Sequence, residues 1–166
     1  MKKCNTQIMK ELKKLEENRT SWLAFEKNNC TVTYCANEEP IIPDYSYDEV
    51  SKQIEWFDTE IRRLKGLLAY SNVTTIVEGF DMTINDALIY LAQLKAKQTR
   101  LDSLNAKNKL SRSTVGYGDA IQYTKILYDQ EPIAKELAEV AETIMLLQMA
   151  IDRTNLTNMF CDFFCH

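Results

Sequence analysis

Apolar positions recur along most of the chain in alternating steps of four and three residues, which is the spacing of one buried stripe on a helix. In the first such stretch Ile8, Leu12, Leu15, Arg19 and Trp22 follow this rule, with Met9, Leu23 and Phe25 widening the stripe, and a helix is predicted over about 4–29. From Tyr47 the series Val50, Ile54, Phe57, Ile61, Leu64, Leu68 continues unbroken. Ser46 stands three residues before Glu49 as a capping box, so a second helix is predicted over about 46–71. Thr83 caps a third, about 84–108, whose inner positions are Ile84, Ala87, Leu91, Leu94 and Leu101. Asp129 and Pro132 open a fourth, about 130–156, with Ile133, Leu137, Val140, Ile144, Leu147 and Ile151 inside.

Four heptad-like helices, each about 37 Å long at 1.5 Å per residue, imply a mainly α fold: antiparallel coiled-coil-like hairpins or a bundle. Residues 30–35, Cys-Thr-Val-Thr-Tyr-Cys, are β-branched and aromatic and are predicted as a short strand. Its expected partner is the alternating segment 120–126, giving a two-stranded β-ribbon that needs a helix or another subunit to lean on. Residues 1–158 are expected to form a single helical domain and 159–166 an apolar tail that docks in a groove of its own or a neighbouring subunit. The second helix ends in Ser71-Asn72-Val73-Thr74-Thr75 and the fourth in Thr154-Asn155-Leu156-Thr157-Asn158. That match fits either two related helical hairpins or Asn at a left-handed helix C-cap.

Composition narrows the chemistry. With 4 Gly and 3 Pro in 166 residues there is little turn material for a sandwich or a many-stranded sheet. The single histidine is His166, so a Ser-His-Asp or Cys-His triad, an HExxH site and a Glu-x-x-His di-iron site are excluded from the interior. Cys161, Cys165 and His166 lack the spacing of a zinc ribbon, and no metal or other cofactor is expected. Gly116-Tyr117-Gly118-Asp119 falls short of a phosphate-cradling loop. No carboxylate is marked for acid-base work by its neighbours, and no catalytic residue is assigned.

The five cysteines are odd in number and read as free thiols, because the charged, helical start after Met1-Lys2-Lys3 is not a secretory signal. A cytoplasmic location is expected, and no stretch is apolar enough to span a bilayer. The net charge of −4 gives no overall attraction to nucleic acid, which is not expected as a partner, nor is any small-molecule ligand identifiable. The charge is nevertheless uneven. Residues 36–60 carry eight acidic groups against Lys52, and residues 95–112 six basic groups against Asp102. Such blocks either pair within or between subunits or form two solvated helix faces.

The order of these pieces resembles a family of small bacterial proteins, the septicolysin-like family, named after a protein labelled a haemolysin. Matching motifs are Asn37-Glu38-Glu39-Pro40 after the first helix, Ser71-Asn72-Val73-Thr74-Thr75, and the glycine turn and Thr-capped helix start from Glu78 to Leu88. Ser111-Arg112-Ser113 before Tyr123 also matches, while Asn155-Leu156-Thr157-Asn158 replaces the family's Asn-aromatic-Thr-Thr. Residues 159–166 fall outside the resemblance, and Gly116-Tyr117-Gly118 is an insertion relative to it. The resemblance implies the helix order and self-association, and it transfers no catalytic residue. Its toxin label implies membrane damage.

The expected function is therefore a non-enzymatic helical protein that forms a homo-oligomer and acts as an interaction or scaffold protein. Candidate interface residues are Cys30, Val32, Tyr34, Ile121, Tyr123, Phe160, Phe163 and Phe164. The alternatives are a membrane-active protein exposing its helix stripes to lipid, and an enzyme using carboxylate or Lys chemistry in an interhelical pocket.

Overall fold

A computed structural model describes residues 2–115 and 120–161. The element order is β1 (Lys2–Cys4), α1 (Asn5–Asn29), α2 (Tyr47–Thr74), α3 (Ile84–Asn105), β2 (Leu110–Val115), β3 (Ala120–Lys125), α4 (Gln130–Thr157) and β4 (Met159–Cys161). The fold is mainly α, with four long helices where the heptad pattern predicts them. The chain divides into two compact units, the described residues of Met1–Thr75 with Thr154–His166 (unit 1) and those of Ile76–Arg153 (unit 2). The stretch 1–158, expected as one domain, thus contributes to both.

Unit 1 is built on the α1–α2 hairpin. Ile8, Leu12, Leu64 and Leu67 are buried together, with Leu15, Ile61 and Leu68 packed against them. These are the positions the four-three spacing selects, with Leu67 added beside Leu68. The helices run antiparallel, as Glu16–Lys65 and Arg19–Asp58 contacts require. Ser46 caps α2, its hydroxyl accepting from the Glu49 amide at 3.5 Å. β1 and β4 close the unit as a short antiparallel pair in the register Lys2↔Cys161, Lys3↔Phe160, Cys4↔Met159. The first part of the expected tail is therefore a strand, and the rest of it, including Phe163 and Phe164, lies outside the described residues.

Unit 2 is built on α3 and the larger part of α4. Ile84, Ala87, Leu91, Leu94 and Leu101 face Val140, Leu147 and Ile151 in one buried cluster, which Val77, Phe80 and Met82 extend past the start of α3. A tight turn precedes α3. The Val77 amide donates to the Met82 carbonyl at 2.9 Å, and Gly79 supplies the φ of +84° that an L side chain rarely adopts. Thr83 then caps α3 twice over, accepting from the Asp86 amide at 3.1 Å and donating to Asp86 Oδ2 at 2.7 Å.

Three expectations are corrected. Residues 30–35 are not a strand, and the segment expected to pair with them pairs instead with Leu110–Val115. The local hairpin wins because closing the four-residue link between β2 and β3 costs far less chain entropy than joining segments about 90 residues apart. α3 stops at Asn105, short of 108, where Tyr128 donates to the Leu104 carbonyl at 2.7 Å and Gln130 to those of Asn105 and Lys107. Neither Asn72 nor Asn155 is a left-handed cap. Both lie inside helices, and no described non-glycine residue has a positive φ.

Candidate functional site

The candidate residues fall on three segments. The connector between α1 and α2, residues 30–46, begins where Cys30 ends α1 by donating its amide to the Glu26 carbonyl at 2.9 Å. It is tied back by Tyr45, whose hydroxyl donates to Glu26 Oε1 at 3.2 Å. Partial burial and the acceptor Glu26 raise the Tyr45 pKa above its ordinary value, so the hydroxyl keeps its proton. Between these two anchors Cys30, Val32, Tyr34 and Cys35 are exposed, and both cysteines are free thiols. Ile41 and Ile42 are 90% and 76% exposed. Prolines 40 and 43 flank them, each fixing its own φ, and Pro43 disfavours a helical Ile42.

The β2–β3 ribbon holds the second group. Its register sets Arg112 opposite Tyr123, Thr114 opposite Ile121 and Leu110 opposite Lys125. Residues directly opposite share a face, so Ile121 and Tyr123 lie on one side with Leu110, Arg112 and Lys125. The other side carries Ser111, Ser113, Gln122 and Thr124. All of these are exposed. The ribbon's base is fixed: the Ile126 amide donates to the Lys109 carbonyl at 3.3 Å, and Tyr128 and Gln130 hold the end of α3. Beside this base lies an open depression of about 560 Å³, lined by Lys109, Lys125, Ile126, Leu127, Tyr128, Asp129 and Gln130. Leu127 is 95% exposed there.

Of the expected interface residues, Ile121 and Tyr123 are thus brought together, whereas Cys30, Val32 and Tyr34 belong to the other unit and do not pair with them in a sheet. Phe160 stands opposite Lys3 in the β1–β4 register.

A buried polar network in unit 1 was not foreseen. Asn5, 1% exposed, accepts from the Ser71 hydroxyl at 2.7 Å and donates to Asn155 Oδ1 at 2.9 Å. Thr6 donates to the Asn155 carbonyl at 3.3 Å, and Asn158 donates to the Thr75 hydroxyl at 3.0 Å. The available signal was the polar run at each helix end, Ser71 and Thr75 on α2 and Asn155 and Asn158 on α4, of which only Asn155 belongs to the matched tripeptides. Each group in the network has a partner, which is the condition for burying it at little cost.

Three ion pairs join neighbouring helices: Arg19–Asp58, Glu16–Lys65 and Lys97–Glu136. Arg19, which interrupts the apolar stripe of α1, grips Asp58 through Nε at 2.6 Å and Nη2 at 3.3 Å. The hydrogen bond from Arg19 lowers the Asp58 pKa and raises that of Arg19. Lys97 similarly holds Glu136 below the usual carboxylate range through its hydrogen bond at 2.6 Å. An apolar hollow of about 260 Å³ is lined by Ser21, Trp22 and Phe25, the two rings meeting edge to face at 5.9 Å. Among the described residues no cluster of three His, Cys, Asp or Glu could hold a metal ion. No helix of the described residues is long and apolar enough to cross a membrane.

No family model and no curated protein sequence matches the chain. Among solved structures, a conserved protein of unknown function from Corynebacterium diphtheriae is similar, with a TM-score of 0.65 over 97% of this chain and 100% of that one, at 17% identity. That likeness is one of fold.

Proposed function

We propose that the protein is a non-enzymatic scaffold that self-associates through the loop ends of its helical hairpins. The carrying observation is the near-complete exposure of Ile41, Ile42 and Leu127 on segments fastened at both ends by hydrogen bonds. Held apolar side chains of this kind gain from being covered, at about 25 cal/mol per Å² removed from water, and lose little freedom on docking. The helix order implied by the septicolysin-like resemblance is compatible with this role. The test is light scattering on a size-exclusion column over about a hundredfold range of concentration, with reductant present to keep the thiols from cross-linking. A closed oligomer that dissociates on dilution is expected; a monomer throughout would overturn the proposal.

A second reading, membrane activity, draws on the outer side of α4, where Met145, Leu146 and Met149 are about half exposed. It predicts dye release from anionic liposomes at micromolar protein, and intact vesicles would remove it.

A further inference from the structure

The helices mix charges of both signs, whereas the loop ends are strongly biased to one sign each. Across the hairpin seams Glu16 meets Lys65, Asp58 meets Arg19 and Glu136 meets Lys97. On the α1–α2 connector and the first turn of α2, Glu38, Glu39, Asp44, Asp48 and Glu49 form no ion pair among the described residues. The sequence offers them none nearby, since residues 30–49 contain no Lys or Arg. On the ribbon and its base, Lys107, Lys109, Arg112 and Lys125 are equally without an ion-pair partner among the described residues; Asp119 is the one acid between 107 and 126, and Asp129 lines the depression beyond it. Each of these segments, one acidic and one mainly basic, also carries exposed large apolar side chains, Ile41 and Ile42 on the first, Tyr123 and Leu127 on the second.

We infer that the acidic connector of one copy docks on the basic ribbon of a second copy. The inference rests on the self-association proposed above and names the surfaces that carry it. Ile41 and Ile42, set between two prolines, would enter the depression at the ribbon's base beside Leu127, with Glu38, Glu39 and Asp44 facing Lys109 and Lys125. Complementary potential selects this pairing over the obvious rivals. Ribbon against ribbon is permitted by the unpaired strand edges, but it sets Lys109, Arg112 and Lys125 against their own copies, and connector against connector does the same with carboxylates. A second copy is the fitting partner because one chain presents both halves, an acidic connector and a basic ribbon.

The test uses the full chain in two charge-reversed forms. One carries Glu38→Lys, Glu39→Lys and Asp44→Lys; the other carries Lys107→Glu, Lys109→Glu and Lys125→Glu. All six positions are exposed, and unchanged helicity by circular dichroism checks the fold. Each form alone should self-associate at least about tenfold more weakly than the parent chain. An equimolar mixture should restore assembly, because each connector then meets a ribbon of opposite sign. Contact within one chain predicts no rescue on mixing, and ribbon–ribbon pairing predicts no loss in the connector form; either result overturns the inference. A parent chain that assembles while neither form is weakened overturns the inference and leaves the scaffold reading standing, whereas a monomeric parent overturns both. Should either form lose helicity, the parent chain alone still decides: raising salt from about 0.05 to 0.5 M should weaken assembly at least about tenfold, and salt-independent assembly would overturn the inference.

Discussion

Unit 2 has a continuous apolar seam between α3 and α4, whereas unit 1 combines a shorter apolar cluster with a buried polar network. Among the described residues every buried polar side chain, Asn5, Ser71, Thr75 and Thr154, lies in unit 1. Apolar contacts are non-directional, so a seam of Leu and Ile tolerates small slips of one helix along the other. A network such as Ser71–Asn5–Asn155 does not, because a shift of one residue leaves buried donors and acceptors without partners. The two units therefore reach a defined helix pairing by different routes, adhesion in one and adhesion with a polar register in the other.

The largest expected effects test the adhesion common to both. Leu147→Ala in unit 2 and Leu64→Ala in unit 1 each remove a fully buried side chain and should cost about 2–5 kcal/mol in urea unfolding. A cost below about 1 kcal/mol at Leu147 would mean that the α3–α4 seam is not the main support of unit 2. Next is the polar register. Asn5→Ala should cost about 2 kcal/mol, and adding Ser71→Ala should cost much less than the sum of the two changes, since both act on one hydrogen bond. Strict additivity would show the network to be energetically idle.

A smaller contrast lies at the helix starts. Thr83 makes two short hydrogen bonds in unit 2, while Ser46 in unit 1 accepts at 3.5 Å, the edge of useful geometry. Thr83→Ala should cost about 1 kcal/mol and Ser46→Ala clearly less, and the reverse order in thermal melts would contradict the geometry. The smallest effect is acid sensitivity. Arg19 holds the folded pKa of Asp58 below its ordinary 3.8, so the pair's contribution is complete above that value and is lost as pH falls through the depressed one. Glu136 behaves alike below its ordinary 4.5. Asp58→Asn should flatten the acid limb for unit 1 only, and an NMR titration midpoint for Asp58 at or above 3.8 would remove the effect.

Much of this was legible in the order of residues. The four helices follow from spacing because an amphipathic stripe is a property of local sequence, and the caps at Ser46 and Thr83 are equally local. The strand assigned to residues 30–35 failed for a non-local reason. A β-branched run pairs only if a partner is free, and β3 had a nearer one in β2, whose Ser-rich sequence carries little strand signal. Of the ribbon surface proposed to dock, the alternation through Ile121 and Tyr123 is readable in the sequence, while Leu127 and the lysines around the ribbon's base need the fold to bring them together. Asn5 stayed hidden because a polar residue at a helix start ordinarily faces water, and only its position between Ser71 and Asn155 turns it inward.

The thiols give the terminal β1–β4 pair a chemical clock. Cys4 sits at the start of α1, 5% exposed and opposite Met159, whereas Cys30 and Cys35 stand in solvent. An alkylating reagent followed peptide by peptide should label the connector cysteines within one fast phase and reach Cys4 only when β1 lifts away. The ratio of the two rates then reports how often the amino-terminal strand opens in the native protein, without any denaturant and without an added probe.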